Sequence, residues 1–162
     1  MRRDILIPAT LVPLLTLGAA VHAEERSLEC RLYIGLGTEN VDAWTSESAE
    51  RTFETRRRSA VCVFPDGSVA DKQFVMIGTF AGDGAAGVNR GYSLYTFEDG
   101  DSLTLAFEGR WGADGYAGDY EVLAGTGAYE GANGTGTISG VASPWQGTGI
   151  VDIAIDVTLS DS

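Results

Sequence analysis

Residues 123–140, LAGTGAYEGANGTGTISG, hold glycine at six of eighteen positions, yet they lie between two runs that read as β-strands. Glycine inside a strand removes a packing side chain and leaves more backbone freedom to be lost on folding. The glycines are therefore read as a backbone requirement: positive φ and close chain approach where a sheet bends sharply. The expected path is a strand ending at Ala124, a tight irregular connection carrying Tyr129, and a new strand from Thr135. A dinucleotide fingerprint is rejected, because Gly125, Gly127 and Gly131 have one residue too many between them and no helix follows. A calcium-binding β-roll is rejected as well, since no Asp occurs between Gly125 and Gly140. Asn133-Gly134-Thr135 is a formal glycosylation sequon, meaningful only in a eukaryotic secretory pathway.

Outward from this stretch, alternation at period two recurs and helical periodicity is nearly absent. At the C-terminal end Val151, Ile153, Ile155, Val157 and Leu159 interleave with Asp152, Ala154, Asp156 and Thr158. Near the other end Leu28, Cys30, Leu32, Ile34 and Leu36 alternate with Glu29, Arg31 and Tyr33, which points Cys30 inward. Further strands are expected near 52–64, 69–80, 90–97, 102–110, 117–124 and 134–142, about eight in all. Pro65-Asp66-Gly67 and Glu98-Asp99-Gly100-Asp101 supply turn chemistry between apolar runs. Longer loops are expected near 37–50 and 81–90, the first with a short helix or flap in which Trp44 acts as a lid or packs the loop down. Strands joined by short turns, with no helix for a crossover, give an all-β antiparallel meander that closes as a barrel or folds as a sandwich.

Residues 1–23 read as a secretory signal peptide: Arg2 and Arg3 precede an apolar run from Ile5 to Val21, with small residues before a cleavage point at Ala23. Arg2-Arg3 also resembles a twin-arginine leader. Pro8 and Pro13 and the run's length argue against a spanning anchor. A single domain is expected over residues 24–162, with secreted or periplasmic localisation. Without its first 23 residues the chain has 9 basic and 22 acidic residues, a net charge of about −13, so nucleic acid and anionic membrane surfaces are poor partners. In an oxidising compartment Cys30 and Cys62 are expected to form a disulfide. The sole histidine, His22, leaves with the leader, which removes Ser-His-Asp and Cys-His catalysis and His-rich metal sites; no cofactor is expected. The sole lysine, Lys72, has polar neighbours that give no hint of a Schiff-base role.

Tyr120–Gly140, YEVLAGTGAYEGANGTGTISG, resembles the signature of the allene oxide cyclase and dirigent-protein superfamily, whose bacterial members carry a G-T-G-x-[FY]-x-x-A-x-G hairpin. Gly125, Thr126, Gly127, Tyr129, Ala132 and Gly134 occupy those positions, and the segment Tyr92 to Gly109 resembles the hairpin that leads into it. The resemblance covers the second half of the chain. It implies a closed eight-stranded antiparallel up-and-down barrel with an apolar lumen, assembled as a homodimer or homotrimer. About chemistry it implies less, because members close fatty-acid epoxides, orient phenoxy radicals or fold polyketide chains on a shared scaffold.

Three functional readings follow. In the first, the barrel binds or conformationally guides a small apolar molecule, with Leu32, Ile34, Phe74, Met76, Leu105, Phe107, Tyr120, Val122, Ile153 and Ile155 lining the lumen and Tyr95 and Trp111 at its mouth. The same side chains are bulky enough to fill the lumen instead. In the second, a cyclase or isomerase acts on a lipid-like or polyketide-like substrate, through a lumenal carboxylate or by holding the substrate near its reactive shape. Glu108 with Arg110, and Glu29 with Arg31, are candidates, against the plainer reading that they form a solvated face. In the third, a periplasmic interaction module with a filled barrel docks a partner through Arg56-Arg57-Arg58, although alternation turns Arg57 away from its neighbours; the same run also suits an edge strand guarded against strand addition.

Overall fold

The structure is a computed structural model that describes residues 24–81, 86–142 and 149–159. The expected leader lies outside the described residues, as do positions 82–85 of the expected 81–90 loop. Eight antiparallel strands follow the chain: β1 (Glu24–Ser46), β2 (Arg51–Val63), β3 (Val69–Ala81), β4 (Gly87–Phe97), β5 (Ser102–Gly112), β6 (Gly115–Thr126), β7 (Asn133–Ala142) and β8 (Gly149–Leu159). Each pairs with the next, and β8 returns to β1 in a register that sets Cys30 opposite Ile153. The sheet is a closed barrel, and the sandwich alternative falls. Closure also leaves β2 hydrogen-bonded on both sides, so the arginine run is not at a sheet edge.

Strands β2 to β8 lie close to their expected positions, and the turn residues explain why. Gly67 and Gly100 take φ of 89° and 92°, values that glycine adopts freely. Each amide donates back to a phenylalanine carbonyl, Phe64 and Phe97, at 3.0 Å. The expected loop at 37–50 is corrected. Strand β1 runs on to Ser46, pairing with the first half of β2 after a register shift between Ile34 and Glu39, and a 3₁₀ turn over Glu47–Ala49 closes the ribbon. Val41 and Trp44 are exposed there, so this half of β1 lacks the one-sided burial that makes a strand readable.

Alternation sends one row of each strand into the lumen. Leu103, Leu105 and Cys62 have no accessible surface and Leu32 only 1%, which leaves no room for a water molecule beside them; this part of the lumen is filled. The Cys30–Cys62 disulfide is formed within it, with Cα atoms 5.7 Å apart on β1 and β2.

The glycine-rich hairpin seals one end. After β6 the chain makes a 3₁₀ turn over Gly127–Tyr129. Gly127 has φ of 60°, and a Cβ there would run into the Asp101 carboxylate, whose Oδ2 accepts the Ala128 amide at 2.8 Å. A Cβ on Gly125 would meet the Tyr129 carbonyl. These two absent side chains let the connection fold back and drop Tyr129 into the barrel end. Its ring stacks on Phe97 with centroids 4.7 Å apart, and Phe97 stacks in turn on Phe64 at 6.0 Å. Toward the opposite end the inward residues Ile34, Arg56, Arg58, Met76, Trp111 and Tyr116 are only half-buried.

Candidate functional site

Strand β3 carries Ala70, Lys72, Phe74 and Met76 on its inner row. Lys72 is opposite Ala60 on one side and Tyr95 on the other, so these side chains share the lumenal face. It is 4% exposed. Its Nζ donates a hydrogen bond to the Tyr120 hydroxyl from β6, which lies 3.1 Å from the Tyr95 hydroxyl of β4. Four rings surround the amine, with centroids of Phe74, Tyr95, Phe107 and Tyr120 at 5.0–5.9 Å. The rings pack edge to face, Phe74 on Phe107, Phe107 on Tyr120 and Tyr120 on Tyr95, an arrangement that fixes the cage walls. Ser93, 2% exposed and one inner step from Tyr95, faces Tyr120, yet among the described residues its hydroxyl has no hydrogen-bond partner of good geometry.

Electrostatics follow from burial. Among the described residues no carboxylate pairs with Lys72, and desolvation alone brings its ammonium down to about 7. Burial pushes the Tyr95 and Tyr120 phenols well above their ordinary value, so both keep their protons at neutral pH. The cluster therefore offers hydroxyl donors, an amine that is half neutral near pH 7, and one unpaired hydroxyl inside an aromatic cage. It suits a ligand oxygen that accepts hydrogen bonds.

The ten residues expected to line the lumen all face it, Ile34 and Met76 half-buried and the rest buried. Tyr95 is not at a mouth: Phe97 and Tyr129 close the barrel beyond it, leaving it 2% exposed. Trp111 is half-buried, its ring 6.3 Å from that of Tyr116. Trp44 is 57% exposed and stacked on Phe53, opposite it on β2, on the outer side of the β1–β2 ribbon and not over the lumen. Glu108 and Arg110 are exposed on the outer face of β5, since Phe107 and Leu105 take the inner row; neither is a lumenal acid or base. Glu29 and Arg31 are likewise exposed, and Arg31 pairs with Asp152 at 2.8 Å. Arg57 faces outward; Arg56 and Arg58 share the inner row of Ala60 and Cys62, and Arg56 pairs with Glu54 at 2.7 Å. The run thus divides between two faces.

Ser93 escaped the sequence reading, and Lys72, set aside there for its polar neighbours, is instead enclosed by aromatic rings. A signal existed. Phe74 and Met76 already faced the lumen, so strict alternation carried back two residues puts Lys72 beside them.

A concavity of about 880 Å³ also lies on the outside of the barrel across β1–β6, with exposed Val75, Ile77 and Tyr92 among Arg57, Arg90, Glu108, Asp119 and Glu121. The ionisable groups that line it from the outer face remain solvated, so the unusual chemistry is inside the barrel.

No protein-family model matches the sequence, and no curated protein is significantly similar to it. Among solved structures the chain is similar to a pterocarpan synthase dirigent protein, with a TM-score of 0.61 and 14% identity over 94% of this chain and 99% of that one. It is also similar to a protein of unknown function of the DUF3224 family from Shewanella oneidensis, with a TM-score of 0.50 and 14% identity over 82% and 96% of the two chains. The closed eight-stranded antiparallel barrel is the fold this chain shares with these two structures. At this identity the likeness establishes the fold and leaves function to the site.

Proposed function

We propose that this chain is a secreted dirigent-type barrel that binds a small apolar molecule and holds it in a set conformation, its oxygen-bearing end against Lys72, Tyr120 and Ser93. The observation that carries this reading is the buried Ser93 hydroxyl, which has no well-aligned partner among the described residues, on the same lumenal face as Lys72, which no described carboxylate pairs. Both are unfavourable in an apolar core unless a ligand completes them. Leu105 and Leu103, opposite Ser93 and Tyr95, leave no void at the cluster, so the ligand makes its own space from the half-exposed end by displacing Met76, a flexible side chain suited to moving aside. Export is supported by the leader-like residues 2–23 and by a disulfide, which persists in oxidising compartments. The similar structure named as a synthase supports the cyclase or isomerase alternative by analogy of fold.

Binding is tested with 2-naphthol and 2-methylnaphthalene, which differ in the oxygen alone, followed through Trp111 fluorescence. The naphthol is expected to bind about 10-fold more tightly, the worth of one buried hydrogen bond. Tyr120→Phe with Ser93→Ala should remove that preference. Equal affinity of the two ligands for the native protein would refute the polar anchor, and absence of saturable binding would refute the reading as a whole.

The homodimer or homotrimer implied by the resemblance is proposed for the outer concavity, where both charge signs flank an apolar centre. Such a surface, carrying both charge signs, can meet a second copy through a two-fold contact in a dimer or a different patch of the next copy in a trimer. Sedimentation velocity should give an oligomer that Ile77→Glu with Tyr92→Glu converts to monomer; a monomeric native protein would overturn the assignment.

A further inference from the structure

The same cluster carries a more specific inference, which rests on the lumenal binding reading above. We propose that Lys72 is a covalent site for an apolar aromatic or conjugated aldehyde or ketone, which it captures as an imine with Tyr120 relaying protons. Three geometric observations converge. The amine is enclosed by four aromatic rings at 5.0–5.9 Å, walls against which a flat apolar carbonyl compound packs better than a hydrated one once Met76 is displaced. Tyr120 is hydrogen-bonded to the amine and lies 3.1 Å from Tyr95, so a hydroxyl relay touches the reacting nitrogen. Ser93, buried and without a well-aligned partner among the described residues, faces the Tyr120 hydroxyl and can donate to the carbonyl oxygen. Desolvation leaves about half of the amine neutral near pH 7, the form with a free electron pair.

The step balances without an oxidant or reductant. The nitrogen pair attacks the carbonyl carbon, and the C=O π pair moves to oxygen, which takes up a proton relayed from nitrogen through Tyr120. The nitrogen pair then forms C=N as the C–O bond breaks, the oxygen leaves as water with a second proton delivered by Tyr120, and the remaining N–H proton passes back to the Tyr120 oxygen. Amine and carbonyl become imine and water. Tyr120 is a proton-transfer residue here, and Tyr95 a positioning residue that holds its hydroxyl.

The experiment uses the full folded chain, 2-naphthaldehyde and sodium cyanoborohydride, which reduces the imine to a stable secondary amine. Because Lys72 is the only lysine, peptide mapping need distinguish only this residue from the terminal amine. Expected is a peptide containing Lys72 heavier by the aldehyde mass less one oxygen. Its labelling rate should be half-maximal near pH 7 and about 10-fold faster at pH 7 in the folded than in the urea-unfolded chain. Tyr120→Phe should slow labelling about 10-fold, beyond any change in naphthaldehyde affinity. Label on the terminal amine alone, or on Lys72 only after unfolding, overturns the covalent site. If the aldehyde then still displaces 2-naphthol, the binding reading stands without it; if it neither labels nor competes, both fall.

Discussion

Lys72→Met is expected to make the barrel more stable at neutral pH, by roughly 2–4 kcal/mol, with the gain shrinking as pH rises. The sign follows from proton linkage. Burial brings the Lys72 ammonium from 10.5 in the unfolded chain to about 7 in the folded one, so between these values the unfolded chain holds a proton that the folded chain has released. The penalty for burying the amine is full at and below pH 7, on the order of 5 kcal/mol at most, and it is relieved progressively toward pH 10.5. Methionine has similar length, fills the same cage and carries no charge. Part of the gain is offset because Tyr120 loses one hydrogen-bond partner while keeping Tyr95, a loss of about 1 kcal/mol. Urea unfolding of both proteins from pH 6 to pH 10.5 checks this. A variant less stable than the native protein at pH 7, or a gain that does not decline with pH, would show that the amine is not desolvated as described.

If Lys72→Met stabilises the fold as expected, folding alone does not account for the lysine at this position. The physical case for a site at Lys72 therefore does not depend on likeness to any other barrel. It also explains why the exposed carboxylates Glu108 and Glu29 carry no comparable argument: they remain solvated and nothing holds them against solvent.

How far the sequence revealed this depends on which side chains announce their environment. The C-terminal alternation of β8 and the turns at Gly67 and Gly100 are local, and they led directly to a strand meander. The hairpin around Tyr129 added closure, since Gly125 and Gly127 are intelligible only where backbone meets backbone or a buttressing carboxylate. The second half of β1 was hidden because its residues are wet on the side where burial would have marked them. Lys72 was hidden for a different reason. The outer row of β3 reads Val69, Asp71, Gln73 and Val75, and the inner row Ala70, Lys72, Phe74 and Met76, so each row mixes polar with apolar residues and hydropathy gives no phase. Phase came only from Phe74 and Met76. The meeting of Lys72 with Tyr120, which Ser93 also faces, depends on the register of β3, β4, β5 and β6 around a closed sheet, which no local pattern encodes.

Removing the Cys30–Cys62 bridge, by Cys30→Ala with Cys62→Ala, is expected to lower stability by about 3–4 kcal/mol while the barrel still forms. The cysteines are 32 residues apart in sequence, and cross-linking a loop of that length restricts the unfolded chain by an amount of this order. In the folded chain the bridge joins strands that are already hydrogen-bonded along β1 and β2, so it adds little to a pairing that backbone hydrogen bonds maintain. Its weight accordingly falls on the unfolded ensemble. The urea dependence of unfolding should steepen slightly, because an uncrosslinked chain exposes more surface when it unfolds. Two further consequences separate this from a packing effect. Cys62 has no accessible surface and Cys30 only 8%, so dithiothreitol should leave the native bridge intact and reduce it readily in urea. Far-ultraviolet circular dichroism of the double variant should match that of the native protein at 10 °C. A loss below about 1 kcal/mol, or rapid reduction without denaturant, would mean that the bridge lies outside the filled part of the lumen, and with it would go the account of a barrel closed at this end and open to ligand from the other.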